Sequence, residues 1–386
     1  MKTLKTISLL ALSISMLACK AESKKTPELI AITTYAKPIT KNTIKVALLL
    51  DTSNSMDGLI DQAKSQLWEI VNELSYAKCE HERPNLNIAL YEYGNDGLPQ
   101  QKGYIRQVSP FTNDLDLISE KLFSLTTNGG NEYCGQVIKT SIDNLDWGNN
   151  KNDLKLVFIA GNEPFTQGPV SYLDATTDAK EKDISINTIF CGNYQNGISS
   201  KWQEGALLTN GDYMAIDHNQ QTVHIATPYD DYILELNIRL NKTYIPYGSQ
   251  GKRKYEAQAI QDENAFSYGK SNVVSRTISK SSGFYSNSKW DLVDAEQEED
   301  FNYDEVDKKH LPQELQKLSK KELAQYVEKK RLERERIQKE IQEQNKKRKI
   351  HIANEKKNNK INNGLENAML NAIKKQAEKK NYKWDK

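Results

Sequence analysis

Val46-Ala47-Leu48-Leu49-Leu50-Asp51-Thr52-Ser53-Asn54-Ser55 is the stretch of sequence that decides the fold. Its first five residues are apolar, which is typical of a strand buried on both faces of a parallel sheet. The polar residues that follow bring the carboxylate of Asp51 and the hydroxyls of Ser53 and Ser55 into one tight loop. Mg²⁺ takes oxygen ligands and keeps some positions for waters or a partner's oxygens. The loop therefore predicts part of a divalent-metal site, whereas helix capping by Ser55 or Asp57 would explain only some of these residues.

Strand-like and helix-like patterns alternate from residue 44 to residue 247. The predicted strands are Lys45–Leu50, Leu86–Tyr93, Tyr104–Val108, Leu154–Ala160, Ile184–Phe190 and Tyr213–Ile216. The predicted helices are Asp57–Ala77, Asp114–Leu125, a helix through Val137 to Leu145, Pro169–Lys182, Lys201–Leu208 and Asp230–Leu240. This alternation predicts an α/β fold with a doubly wound, mostly parallel sheet. Ligands of such sheets bind at the carboxyl ends of the strands, which is where Asp51 falls.

The first 18 residues have the pattern of a lipoprotein signal peptide. Lysines precede the apolar run Ile7–Leu17, which is too short to span a membrane. Met16-Leu17-Ala18-Cys19 resembles a bacterial lipobox, which would make Cys19 the lipidated N-terminus; ordinary cleavage nearby is the alternative. Residues 19–43 are then a flexible tether. We therefore expect an exported, lipid-anchored chain in the cell envelope, and Lys20, where some bacteria use Asp to signal inner-membrane retention, favours the outer membrane.

The net charge bears on which partners the chain can bind, and the cysteines bear on whether it forms a disulfide. The formal net charge of +1 argues against a general attraction to nucleic acid. An exported chain can form disulfides, but Cys79, Cys134 and Cys191 are an odd number. In a doubly wound sheet Cys134 and Cys191 fall at the same edge, and they are therefore the predicted pair.

Beyond residue 247 the composition changes. Residues 248–310 are polar and then acidic; we expect an extended segment that wraps the domain, followed by a solvated linker over Asp291–Asp307. Residues 311–386 form a charged helical tail. Its first helix opens at the Ser319 capping box, runs to about Lys349, and is expected to be self-standing rather than a stable coiled coil. A second helix, Asn363–Lys379, carries an apolar stripe that needs a partner: the domain, another copy or a membrane surface.

Residues 44–247 resemble a von Willebrand factor A-type (vWA) domain. The resemblance rests on Asp51-x-Ser53-x-Ser55, on Gly129-Gly130 before a helix, and on the strand that ends in Gly161-Asn162-Glu163. It implies a metal-ion-dependent adhesion site, in which three loops hold Mg²⁺ and an acidic group of the bound partner completes the coordination. After the domain, Tyr244-Ile245-Pro246-Tyr247-Gly248 and Trp290-Asp291-Leu292-Val293-Asp294 resemble segments of a bacterial vWA lipoprotein subgroup.

Two of the three motifs depart from the family pattern. Asn131 and Glu132 follow the two glycines where the family has Thr, although Thr126 and Thr127 lie just upstream. Gly161-Asn162 replaces the usual Asp-Gly after the strand. The metal ligands that the resemblance implies are Asp51, Ser53 and Ser55, with Asn131 or Glu132 and Asn162 or Glu163. The expected metal is Mg²⁺, with Mn²⁺ or Ca²⁺ as alternatives.

These patterns lead to one main functional hypothesis. We expect the chain to be a lipid-anchored exported protein that binds the carboxylate of a protein or surface ligand through a divalent metal. The alternative is an envelope scaffold, in which the metal site is vestigial and the tail helices bind partners. We expect no enzymatic activity, because the sequence has no His-Glu-x-x-His, Gly-x-Ser-x-Gly or phosphate-loop motif.

Overall fold

The structure, a computed structural model, describes residues 41–79, 82–220, 224–359 and 364–384. The predicted signal peptide (residues 1–18), the lipidation site Cys19 and the tether as far as residue 40 lie outside the described residues.

A six-stranded sheet forms the centre of the domain. The strands of the chain are β1 (Thr43–Asp51), β2 (Ala77–Cys79), β3 (Asn85–Tyr93), β4 (Ile105–Thr112), β5 (Leu154–Gly161), β6 (Ser185–Cys191), β7 (Tyr213–Ile216) and β8 (Tyr382–Trp384). The sheet order is β4-β3-β1-β5-β6-β7, and only β4 is antiparallel to its neighbour. The predicted doubly wound, mostly parallel sheet is confirmed. β1 lies between β3 and β5, and every one of its residues is buried, as its apolar run predicts.

Helices cover both faces of this sheet. They are α1 (Asp57–Leu74), α2 (Leu115–Phe123), α3 (Cys134–Asn144), α4 (Tyr172–Glu181), α5 (Tyr194–Ser199), α6 (Trp202–Leu207), α7 (Asp230–Asn241), α8 (Gly251–Ser267), α9 (Lys270–Lys280), α10 (Leu292–Ala295), α11 (Gln313–Gln316), α12 (Lys320–Asn359) and α13 (Gly364–Glu378). One hydrophobic core joins the sheet to α1, α2, α7 and α13, and a second joins it to α3, α4 and α6. Within the described ranges no helix is both long and apolar enough to cross a membrane.

The segment after α7 is helical, and the prediction of an extended segment is wrong over α8 and α9. Helix α9 packs against α1 and α7, and ten of its residues are buried. Its polar side chains find buried partners, so its sequence lacks the apolar pattern by which helices are usually predicted. Arg276, for example, donates to Asp262 at 2.6 Å and to Asp116 at 2.7 Å.

The acidic stretch is not wholly a solvated linker either. Asp291 is fully buried, and Asp294 is half-buried beside it. Arg334 of α12 donates to both carboxylates, at 2.5 and 2.6 Å. The expectation that this helix is self-standing is also wrong, because Ile337 and Ile341 of α12 are buried in the main core.

Helix α13 covers the sheet itself. Its stripe, which includes Leu365, Met369 and Ile373, belongs to the same core as β1 and β5. The partner of this stripe is therefore the domain, the first of the three predicted possibilities. Helix α13 is followed by β8, which pairs with β2.

The predicted Cys134–Cys191 bridge is contradicted by the structure. Both thiols are buried and neither is in a disulfide. Cys134 packs in the core on the α3 side of the sheet, and Cys191 packs in the core on the α1 side. The two residues share an edge but lie on opposite faces, which topology at the level of strand order does not reveal.

Candidate metal site

Three loops meet where β1, β3 and β5 end. The first follows Asp51, the second runs from Thr126 into α3, and the third follows Gly161. The backbone N–H of Asn128 donates to the carbonyl of Thr52 at 2.9 Å and holds the second loop against the first. The carbonyl of Gly129 accepts from Asp96 N–H at 2.7 Å, which ties the same loop to the turn after β3. Parallel strand order thus brings the three sequence motifs together, as the resemblance implies.

Asp51 lies at the centre of this arrangement and is fully buried. Its Oδ1 accepts from the backbone N–H of Ser53 at 2.7 Å, whereas its Oδ2 is buried and has no hydrogen-bond partner. Glycines on both sides make room for the carboxylate. A Cβ at Gly94, where φ is +78°, would lie 2.8 Å from Oδ1, and a Cβ at Gly161 would lie 3.1 Å from Oδ2.

The two serine hydroxyls continue the site toward its surface. Ser53 Oγ and Ser55 Oγ are 3.3 Å apart, which agrees with the prediction that they point the same way. Asn162 donates from Nδ2 to Ser55 Oγ at 3.2 Å. Its Oδ1 is buried and has no partner.

Glu132 supplies a second buried carboxylate. Only 5% of the residue is exposed, and its Oε2 is buried without a partner. The backbone N–H of Glu132 donates to Gln167 Oε1 at 2.8 Å, which fixes the loop before α3. A Cβ at Gly94 would lie 2.6 Å from Glu132 Cγ and 2.8 Å from Asp51 Oδ1, so the two acids lie on either side of one glycine.

The surroundings of these two acids favour their protonated forms. Burial raises the pKa of Asp51 to about 7, and the nearby Glu163 adds to the rise. Burial, followed by the charges of Asp51 and Glu163, raises the pKa of Glu132 to about 8. Hydrogen bonds from Ser53 oppose both shifts without cancelling them. A cation between the two acids would reverse this balance.

Other candidate residues have different roles. Asn131 is exposed, and Thr127 donates from its hydroxyl to the side chain of Asp57, the first residue of α1. Glu163 is half-buried; its carbonyl accepts from Trp202 Nε1 at 2.8 Å, and its carboxylate acts on the site through charge. The sequence left open Asn131 or Glu132 and Asn162 or Glu163 as ligands. The structure favours Glu132 and Asn162.

The donor set fits a hard divalent cation. Asp51 Oδ2, Glu132 Oε2 and Asn162 Oδ1 are buried oxygens without partners, one from each loop, and buried polar atoms are rarely left so. Oxygen ligands of this kind suit Mg²⁺ and Ca²⁺. Among the described residues, no group of three or more His, Cys, Asp or Glu side chains is placed to hold a metal, so a cation here would depend on the serine and asparagine oxygens as well.

The sequence does not reveal two supporting residues, Gly94 and Gln167. Gly94 directly follows β3, and its missing side chain admits both acids. The only signal for the first was a glycine directly after a buried strand, and the second left none, because it acts from a loop 35 residues after Glu132.

Fold and site together define a doubly wound α/β domain with clustered oxygen donors at the carboxyl edge of its sheet. Residues 45–206 match the family model of the von Willebrand factor type A domain, so the chain contains such a domain.

Similar solved structures include the conserved hypothetical protein BatB from Bacteroides thetaiotaomicron, with 16% identity over 45% of this chain and 90% of that one (TM-score 0.35). The SpRpn10 VWA domain has 16% identity over 46% of this chain and 90% of that one (TM-score 0.34). An aerotolerance-related membrane protein from Bacteroides fragilis has 16% identity over 45% and 92% (TM-score 0.31). No curated protein matches the sequence.

Proposed function

We propose that this chain is an exported, lipid-anchored protein that binds an acidic group of a partner through a divalent cation at the carboxyl edge of the sheet. The observation that carries the proposal is the set of three buried, partnerless oxygens contributed by Asp51, Glu132 and Asn162. With Ser53 and Ser55, these residues would hold Mg²⁺, or Mn²⁺ or Ca²⁺. The bound metal would supply an open coordination position that accepts a carboxylate.

A binding role is favoured over catalysis by what the site hydroxyls contact. Ser53 and Ser55 lie against each other, and Asn162 donates to Ser55, an arrangement that offers oxygens to a cation. The scaffold alternative loses support, because the apolar stripe of α13 is already covered by the sheet.

Thermal unfolding with and without metal tests the site. The variant to compare is Asp51→Ala, on the chain from Lys20, which keeps the compact unit Lys41–Lys386. Millimolar Mg²⁺ or Mn²⁺ should raise the melting temperature of the parent chain, because a cation that binds only the folded state stabilises it by mass action. The variant should gain nothing. Identical melting curves for the parent chain across all metal concentrations would exclude the site.

Partner chemistry needs a separate test. On a peptide array, peptides that carry Asp or Glu should bind the chain in the presence of Mg²⁺ and release it when chelator is added. The matched peptides with Asn or Gln should not bind it. Equal binding to the acidic and amide peptides would show that the open position does not select a carboxylate.

Anchorage is tested in cells. Cys19→Ser should leave an uncleaved or soluble precursor, since a single lipidated residue would carry the membrane attachment. A variant that is still cleaved and still pelleted with membranes after a high-salt wash would contradict lipid anchorage through Cys19.

A further inference from the structure

The outer face of helix α12 differs sharply from its inner face. Ile337, Ile341, Asn345 and Arg348 are buried against the domain. At the spacing of the opposite face, the exposed residues include Arg336, Lys339, Glu343, Lys346, Lys347, Ile350 and Lys357. We call these seven residues the basic face of α12.

Positive charge dominates this part of the helix. The stretch from Arg336 to Lys357 contains eight Lys or Arg residues and three Glu residues. One of the three acids, Glu340, already accepts from Tyr232 at 3.0 Å and lies 3.7 Å from Arg239. The basic face itself carries five basic side chains and one acid, Glu343, although the net charge of the whole chain is only +1.

An apolar side chain lies in the middle of these charges. Ile350 is 66% exposed, one of the most exposed large apolar residues of the described chain. Lys346 and Lys347 precede it by one turn, and Lys357 follows it by two turns. Lysines around an exposed aliphatic side chain on one helix face suit an anionic surface with an apolar interior.

The basic face lies near the end of the domain where the chain enters the fold. Asn345 donates to the hydroxyl of Tyr76 at 2.9 Å, and Lys349 Nζ lies 3.9 Å from the centre of that ring. Cys79 follows Tyr76 by three residues, and its sulfur accepts from Asn42 at 3.2 Å. From here β1 runs for nine residues, about 30 Å, to the metal loops at the other end.

We propose that the basic face of α12 docks on an anionic phospholipid surface. The lysines would meet the phosphate groups, and Ile350 would enter the boundary between headgroups and acyl chains. Docking there would turn the carboxyl edge of the sheet, with its candidate metal site, away from the membrane. A second copy of the chain is the less suitable occupant, since it would bring two basic faces together.

Vesicle co-sedimentation tests the proposal on the chain from Lys20, which carries no lipid. The chain should bind vesicles of phosphatidylcholine with phosphatidylglycerol, and binding to phosphatidylcholine alone should be at least about tenfold weaker. Lys346→Glu with Lys347→Glu should lower the first binding by about tenfold or more, and Ile350→Ser should lower it less. The matched control, Lys102→Glu with Lys180→Glu, reverses two exposed lysines elsewhere and should bind as the parent does.

Three results would overturn the proposal. One is equal binding to both vesicle types, and another is equal loss in the α12 and control variants. The third is vesicle binding that survives the α12 substitutions while a dimer, measured by light scattering, is lost; a second copy would then be the occupant. None of these results depends on metal, so the proposed metal site stands or fails separately.

Discussion

The carboxyl edge of the sheet and the layer formed by α8 and α9 both bury carboxylates, but only the second supplies them with cations. Asp262 is paired with Arg276 and Lys280 at 2.6 and 3.0 Å. Burial raises its pKa, but the two cations outweigh this and hold the pKa below its ordinary value. At the metal loops, burial raises the pKa of Asp51 to about 7 with another carboxylate nearby. A buried acid that has a paired cation depends on that cation for stability, whereas buried acids gathered without a cation favour the binding of one.

The largest effect should follow from breaking the paired region. Arg276→Met leaves Asp116 without its cation and Asp262 with only one, and removal of one partner from a buried charge network costs about 3–5 kcal/mol. Urea unfolding followed by circular dichroism measures the loss. Arg331→Met, which removes exposed pairs on α12, is the control and should change the midpoint little. Similar midpoints for both variants would show that the network does not stabilise the fold.

The next effect is a pH dependence that separates the two regions. Because the pKa values of Asp51 and Glu132 are raised on folding, metal-free stability should be greatest near pH 4–5 and fall as the pH rises toward about 8. The fall should be about 2–4 kcal/mol for Asp51 alone. Asp262 has a lowered pKa, so its contribution is lost only as the pH falls below the ordinary carboxylate range. Urea unfolding midpoints measured between pH 5 and 8.5 test the predicted fall in stability with rising pH.

Two controls assign the fall to Asp51 and Glu132. The double variant Asp51→Asn with Glu132→Gln should abolish the fall, since neither amide titrates, and saturating Mg²⁺ should abolish it in the parent chain. A fall that survives in the double variant and in Mg²⁺ would belong to other groups.

The sequence predicts part of the fold and part of the candidate site, and the rest needs the structure. The apolar run of β1 and the residues after it place Asp51, Ser53 and Ser55 correctly, because a buried parallel strand leaves little choice of location. Helix α9 escapes prediction because its buried side chains, such as Arg276, are polar and are satisfied by partners distant in sequence. The choice of Glu132 over Asn131 also needs the structure, since adjacent residues in a loop differ only in the direction they face.

A smaller effect should come from adding charge to the site. Asn162→Asp replaces an amide oxygen with a carboxylate, and Mg²⁺ affinity should rise about tenfold, equivalent to about 1.4 kcal/mol. Calorimetric titration measures the change. Asn131→Asp, which adds the same charge at an exposed position nearby, separates direct coordination from a general field effect. An equal gain in both variants would argue against coordination by residue 162.

The smallest effect is expected at the exposed loop residue. Asn131→Ala should change Mg²⁺ affinity by less than about twofold, because its side chain is solvent-exposed and the buried acid of that loop is Glu132. The same titration provides the measurement. A loss as large as that of Glu132→Gln would mean that the loop rearranges to bring Asn131 onto the metal.

Proton release on metal binding is the most direct test of the central claim that Asp51 and Glu132 form a cation site. Calorimetric titration of the chain from Lys20 with MgCl₂ at pH 7, in buffers of different ionisation enthalpy, measures it. We expect one site and release of about one proton per metal, because both acids are partly protonated at pH 7 and a bound cation displaces their protons. Asp51→Asn should show neither binding nor release. No heat of binding, or binding without proton release, would show that Asp51 and Glu132 do not form a cation site.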